Sequence, residues 1–160
     1  MLTAMVKHAE HLATAGGPDA GIARTYTIFL VDDDETYLSA LGYLLLKKNP
    51  TYKVHCYNSG EACLQHLGLA PSVIVLDYNL NGKYSGAISG IEMLRKLRLL
   101  CPAAAIVVLS GQKDIDVALD TLKEGAYTYI VKDKQAISSL EKLIESLQKN
   151  PAARLPGGAN

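Results

Sequence analysis

Val73-Ile74-Val75-Leu76-Asp77 is the stretch on which the reading of this chain turns: an apolar, mostly β-branched run that begins just after Pro71 and ends in a carboxylate. A run this short and this apolar fits a strand buried on both faces. Working outward, three more runs share the design. Ile28-Phe29-Leu30-Val31 ends in Asp32-Asp33-Asp34, Ala105-Ile106-Val107-Val108-Leu109 ends in Ser110, and Tyr129-Ile130-Val131 ends in Lys132. If these runs lie parallel in one open sheet, the acids, the hydroxyl and the ammonium meet at one edge. Ligands of open α/β sheets bind outside the carboxyl ends of the strands. Acids, a hydroxyl and a lysine gathered there suit Mg²⁺ and a phosphoryl group.

Helical patterns separate the runs. The first strand, near 27–31, leads into a helix near 35–48 with Leu38, Leu41, Leu44 and Leu45 inward and Asn49-Pro50 as its stop. A second strand covers 53–57. Asn58 or Ser59 can cap a helix over 60–67 that turns Ala62, Cys63 and Leu67 inward. After the strand at 73–77 comes a long loop with Gly82, Gly86 and Gly90, and then a helix over 90–100 carrying Ile91, Leu94 and Leu97. A strand at 104–109 precedes a helix over 114–124, with Ile115, Ala118, Leu119 and Leu122 inward and Gly125 closing it. The last strand, 127–131, precedes a helix over 135–149 with Ile137, Leu140, Leu143, Ile144 and Leu147 inward. Strands alternating with helices in this way predict an α/β fold, a doubly wound five-stranded parallel sheet.

The 160 residues suffice for one domain with a proper core, placed at 26–149. Residues 1–25 read as an N-terminal extension. There Leu2, Met5, Val6, Ala9, Leu12 and Ala13 fit one face of a short helix before Gly16-Gly17-Pro18 breaks it. A loosely ordered leader and a docking or dimer-forming helix both stay open for that segment. Residues 150–160 read as a tail or linker stub. Sixteen basic and sixteen acidic residues balance, so nothing advertises a nucleic acid or an anionic membrane. Cys56, Cys63 and Cys101 show no metal-ligand spacing, and their odd number argues against a disulfide framework. With no apolar stretch near the ~20 residues of a membrane span and no signal-peptide core, the expected location is the cytoplasm, without membrane partners.

Asp77 is the candidate nucleophile, because a carboxylate can attack a phosphoryl group and hold it as an acyl phosphate. A cation must then offset the repulsion between two anions. Asp32 and Asp33 supply carboxylate oxygens of the kind Mg²⁺ prefers. Ser110 can donate to a phosphoryl oxygen, and Lys132 can place a positive charge on the same group. Each signal is weak alone. An Asp after a strand is more often a helix cap, which is the role that fits Asp34.

This constellation resembles the receiver domain of two-component response regulators, and the resemblance covers about 123 residues, Tyr26 to Gln148. It implies a flavodoxin-like fold with strand order 2-1-3-4-5. It implies that Asp77 accepts a phosphoryl group from a sensor histidine kinase or phosphotransfer protein. Asp32 and Asp33 match the acidic pair, with Asp33 binding Mg²⁺ directly, and Asn79 matches the residue whose backbone carbonyl completes the metal site. Ser110, followed by Gly111, matches the switch hydroxyl, Lys132 the lysine after strand five, and Tyr129 the aromatic residue that swings inward when Ser110 moves. Gly125-Ala126 matches the pair before strand five. The implied readout is the face of helix four, strand five and helix five, offered to a partner or to a second copy in a homodimer. The implied role is signalling rather than enzymatic, limited to autophosphorylation from phosphodonors and self-dephosphorylation. Nucleic acid would be reached only through an output domain that this chain does not contain.

The departures are specific. Asn81 stands where the family usually has Pro, and the loop over 81–89 is longer than usual. Asp133 follows Lys132 where many receivers have Pro, so no cis peptide is expected there. The Lys-Asp pair is similar to receivers fused to helix-turn-helix output domains. Two alternatives compete with the main reading. An aspartyl-nucleophile, Mg²⁺-dependent phosphatase of the haloacid-dehalogenase kind needs a second Asp two residues past the nucleophile, where this chain has Asn79. A degenerate receiver that binds partners without phosphate would be expected to have lost part of the Asp32, Asp33, Asp77, Ser110 and Lys132 set, which is intact here.

Overall fold

The computed structural model describes residues 25–80 and 88–154. The N-terminal segment up to residue 24, the loop at 81–87 and the tail from 155 onward, for which a leader, an extended loop and a linker were expected, lie outside the described residues. Five strands alternate with five helices: β1 (Tyr26–Val31), α1 (Glu35–Lys48), β2 (Tyr52–Tyr57), α2 (Gly60–Leu64), β3 (Val73–Asp77), α3 (Gly90–Leu100), β4 (Ala105–Ser110), α4 (Ile115–Lys123), β5 (Thr128–Val131) and α5 (Ala136–Lys149). The strands form one parallel sheet in the order β2-β1-β3-β4-β5, as expected. The chain winds outward from β1 in both directions, so its first crossover and its later ones leave opposite ways and open a crevice above β1 and β3.

Strand period divides the core in two. Ile28, Leu30, Val73, Val75, Val107 and Leu109 face one way and pack with Leu38, Leu41 and Leu45 of α1 and Leu140, Ile144 and Leu147 of α5. Their sequence neighbours Phe29, Val31, Ile74, Leu76, Ile106 and Val108 face the other way and pack with Cys63, Met93, Leu94 and Leu97. Every residue of β1, β3 and β4 is buried, which is why these runs carry no alternation in the sequence.

Local chemistry sets the helix ends. The Asp34 carboxylate accepts from the backbone N–H groups of Thr36 and Tyr37 and starts α1. Ser59, one of the two candidates, caps α2. Ser89 and Glu92 form a reciprocal capping box on α3. Gly125, at φ +97°, closes α4, and its N–H donates to the Leu122 carbonyl.

Two expectations fail. The helix expected over 60–67 stops at Leu64 and is followed by a separate 3₁₀ turn at Leu67–Leu69. More consequentially, of the four residues expected inward on α4 only Ala118 is turned from solvent. Ile115, Leu119 and Leu122 are 74%, 49% and 42% exposed, whereas Thr121 is buried and Val117 and Ala118 are half-buried. The Asp114 carboxylate accepts from the Asp116 N–H and caps the helix. The Thr121 hydroxyl tolerates this burial by donating to the Ala118 carbonyl at 2.8 Å.

Candidate functional site

The site is built by the residues at the carboxyl ends of the central strands. The Asp32 backbone N–H donates to the Tyr57 carbonyl at 3.1 Å, which carries the β1–β2 ladder one residue further and sinks the Asp32 side chain. One Asp32 oxygen accepts from the Asp34 N–H at 2.9 Å, and the other accepts from the Lys132 ammonium at 2.7 Å. Asp33 is half-buried beside it. Asp77 is the last residue of β3 and lies level with Leu109 of β4, almost wholly covered. The Lys132 backbone N–H donates to the Ser110 carbonyl at 2.7 Å, extending the β4–β5 ladder and aiming the side chain across the strand ends. Its Nζ lies 3.0 Å from Asp77 Oδ1.

Asp32, Asp33 and Asp77 bring one oxygen each to within 4.8 Å of one another. Against these three carboxylates stands one ammonium. The charge left over makes itself felt at Asp77: burial raises its carboxyl above the usual carboxylate range, the Lys132 charge opposes this, and the Asp32 charge adds to it. Burial alone would weaken the Lys132 ammonium, but its bond to Asp32 and the charges of Asp77 and Asp32 outweigh that and raise its pKa. Asp77 Oδ1 is buried and faces the Lys132 ammonium at 3.0 Å. Hard oxygen donors from three carboxylates gathered within 4.8 Å, with an excess of negative charge, fit a small divalent cation.

The remaining expected residues frame this cluster. Ser110 is fully buried at the end of β4, and its Oγ accepts from the Gln112 N–H at 3.1 Å. The Tyr129 hydroxyl donates to the Gln112 carbonyl at 2.9 Å, so the aromatic residue of β5 already holds the β4–α4 loop. The Gln112 amide reaches Asn79 Oδ1 at 3.5 Å and ties that loop to the one after Asp77. Asp34 sits outside the cluster as a helix cap, as expected.

Two contributors, Tyr37 and Arg98, escaped the sequence reading, and a third, Gly90, was read only as the glycine that opens α3. Tyr37, in the first turn of α1, carries its ring 4.7 Å from the Lys132 Nζ. Gly90 starts α3 directly against the Tyr78 backbone, where a Cβ would fall 2.1 Å from the Tyr78 oxygen. Arg98 donates to the carbonyls of Cys101, Pro102, Ala104 and Gly125 and so binds the end of α3 to the turn before β5. Only the glycine left a signal, its place at the start of a helical pattern.

With the geometry in hand, the comparisons with known proteins are decisive. The response regulator receiver domain family matches residues 28–146. The chain belongs to that family. It is 33% identical over 106 residues to the response regulator protein TmoT of Ectopseudomonas mendocina, covering 66% of this chain and 45% of TmoT. It is 31% identical over 129 residues to the transcriptional regulatory protein FixJ of Rhizobium meliloti, covering 76% of this chain and 58% of FixJ. The chain thus matches only about half the length of these relatives. Among solved structures, the BeF3-activated DrrB receiver domain superposes with a TM-score of 0.66 at 25% identity, covering 79% of this chain and 99% of that one. The receiver fold of two-component response regulators is therefore the frame in which the site works. No helix among the described residues is long and apolar enough to cross a membrane.

Proposed function

We propose that this receiver accepts a phosphoryl group on Asp77 from a phosphohistidine of a sensor histidine kinase or phosphotransfer protein. The observation that carries the reading is the Lys132 ammonium held between Asp32 and Asp77 at 2.7 and 3.0 Å, beside a cluster of three carboxylates at the strand ends. An Asp77 carboxylate oxygen attacks phosphorus, the phosphorus–nitrogen bond breaks, and its electron pair returns to the imidazole of the donor. Lys132 supplies positive charge to the group being transferred. Asp32, Asp33, Asp77 and the Asn79 backbone carbonyl are the candidates to hold Mg²⁺, which when bound neutralises charge on the carboxylates and the phosphoryl oxygens. Asn79 and Gln112 flank the acceptor and orient the water that later hydrolyses the acyl phosphate. Asn79 cannot serve as the general acid a phosphatase needs two residues past its nucleophile, so the role is that of a switch.

The switch runs through Ser110 and Tyr129 to the face of α4, β5 and α5, where the exposed Ile115, Leu119 and Leu122 lie. Differential affinity of the phosphoryl group for two arrangements of the β4–α4 loop shifts the population, and a partner or second copy of the chain reads the result. The domain resides in the cytoplasm. Incubation with acetyl phosphate and Mg²⁺ followed by intact-mass measurement tests the proposal. One added phosphoryl group is expected, lost on chelation and lost in Asp77→Asn. Wild-type-level labelling of Asp77→Asn would sink it.

A further inference from the structure

The Lys132 side chain is four-fifths covered, and the two carboxylates are not its only neighbours. The ammonium lies over the ring of Tyr37 at 4.7 Å from the centroid. The α1 cap fixes the ring there. Asp34 Oδ1 accepts from the Tyr37 N–H at 3.0 Å, and the half-buried side chain packs on the core layer of α1 and α5. Burial, above all, raises the Tyr37 phenol pKa, and the charges of Lys132, Asp32 and Asp77 also reach it.

Two kinds of attraction therefore hold the ammonium, and they respond differently to a cation. The carboxylates of Asp32 and Asp77 are the oxygens a divalent ion would take. Once they are engaged, their pull on Lys132 weakens, and the ion repels the ammonium as well. The Tyr37 ring is neutral and no ligand for a hard cation, so its quadrupole attraction to the ammonium survives. Without it, a lysine on a flexible four-carbon stem would drift toward water.

We propose that Tyr37 is a positioning residue: its ring keeps the Lys132 ammonium beside Asp77 when the acidic cluster is occupied by a divalent ion. The idea rests on the reading of Asp77 as phosphoryl acceptor, but its first test does not. In the wild-type protein the Lys132 ε-methylene protons should show an upfield ring-current shift by NMR. That shift should persist in saturating Mg²⁺ and in Tyr37→Phe, and should vanish in Tyr37→Leu. At saturating Mg²⁺, Tyr37→Leu should slow phosphorylation by acetyl phosphate about tenfold, the scale of a desolvated cation–π contact. Tyr37→Phe should restore the rate to within about twofold, and calorimetric Mg²⁺ affinity should change less than about twofold in either variant, since the ring is no ligand. A ring-current shift that disappears on adding Mg²⁺ to the wild type overturns the proposal. So does a Tyr37→Phe rate as slow as that of Tyr37→Leu, which would assign the effect to the hydroxyl, or a Tyr37→Leu rate equal to the wild type. Failure of the wild type to take up phosphate would instead strike the acceptor reading and leave the ring-current result to stand by itself.

Discussion

Gly90→Ala is the sharpest mechanical test of how the acceptor loop is built. A Cβ on Gly90 would lie 2.1 Å from the Tyr78 carbonyl oxygen, 2.7 Å from its carbon and 2.8 Å from its Cα. All three are backbone atoms of the residue after Asp77, so no rotamer change can relieve the contact. The carbonyl must retreat by about 1 Å to reach ordinary non-bonded separation. Yet the Tyr78 N–H is bonded to the Leu109 carbonyl at 3.2 Å, so the retreat strains the end of the β3–β4 ladder. Overpacking of about 1–3 kcal/mol and a weakened ladder bond of about 1 kcal/mol give an expected loss of about 2–4 kcal/mol. A domain of ordinary stability survives this. Urea denaturation followed by circular dichroism should show a lower midpoint at unchanged slope, and Asp77 labelling should fall in the protein that remains folded. Gly68→Ala is the control, because Gly68 is exposed and nothing lies within 4 Å of its added Cβ; it should change stability by no more than about 1 kcal/mol. A Gly90→Ala protein as stable as the control, with normal labelling, would show that α3 and the acceptor loop do not abut in this way.

Arg98→Ala should cost about 2–3 kcal/mol, because four carbonyls lose a charged donor, read as a lower urea midpoint with phosphoryl uptake retained. Burial pushes the Cys63 thiol up to about 12 and the Cys56 thiol to about 11, so neither yields thiolate near neutral pH. Iodoacetamide at pH 8 should therefore modify Cys63 only after urea opens the fold. The same shifts keep the thiols' contribution to stability intact below the unfolded value of about 8.5 and remove it as pH rises toward 11 and 12.

The strand ends were legible because their signal is local: a run too apolar to alternate, closed by one charged or hydroxyl residue. The five candidate positions Asp32, Asp33, Asp77, Ser110 and Lys132 came from that pattern together with the family resemblance, and ladder bonds at Asp32 and Lys132 extend the strands to two of them. The buried face of α4 was not legible. Of Ile115, Ala118, Leu119 and Leu122, which hydropathy puts inward, only Ala118 is half-buried, beside Val117 and the buried Thr121, while the three larger residues lie exposed. Tyr37 was hidden for another reason. Its partner lies on the far side of the sheet's connectivity, and the pairing depends on how α1 is rotated against the end of β5, which no periodicity encodes. Arg98 reads as a solvated helix charge until the chain turns back and offers it four carbonyls.

The placement of Asp77 sets function against stability, and the two can be separated. Its side chain is buried, Asp32 repels it, and Lys132 already has a closer partner in Asp32, at 2.7 Å against 3.0 Å. Removing the Asp77 charge therefore gives up a partial attraction and ends both a repulsion and a desolvation cost. The raised pKa of Asp77 has the same sign: its surroundings disfavour the ionised form. Asp77→Asn, nearly isosteric, should raise the urea midpoint above that of the wild type in chelator. Mg²⁺ should then reverse the order, because an ion that binds only the folded state stabilises it by mass action, and the variant has lost one of the three carboxylates that would bind it. A midpoint for Asp77→Asn below the wild type in chelator would mean that Lys132 more than offsets the burial of Asp77. Equal responses of the two proteins to Mg²⁺ would remove Asp77 from the cation site.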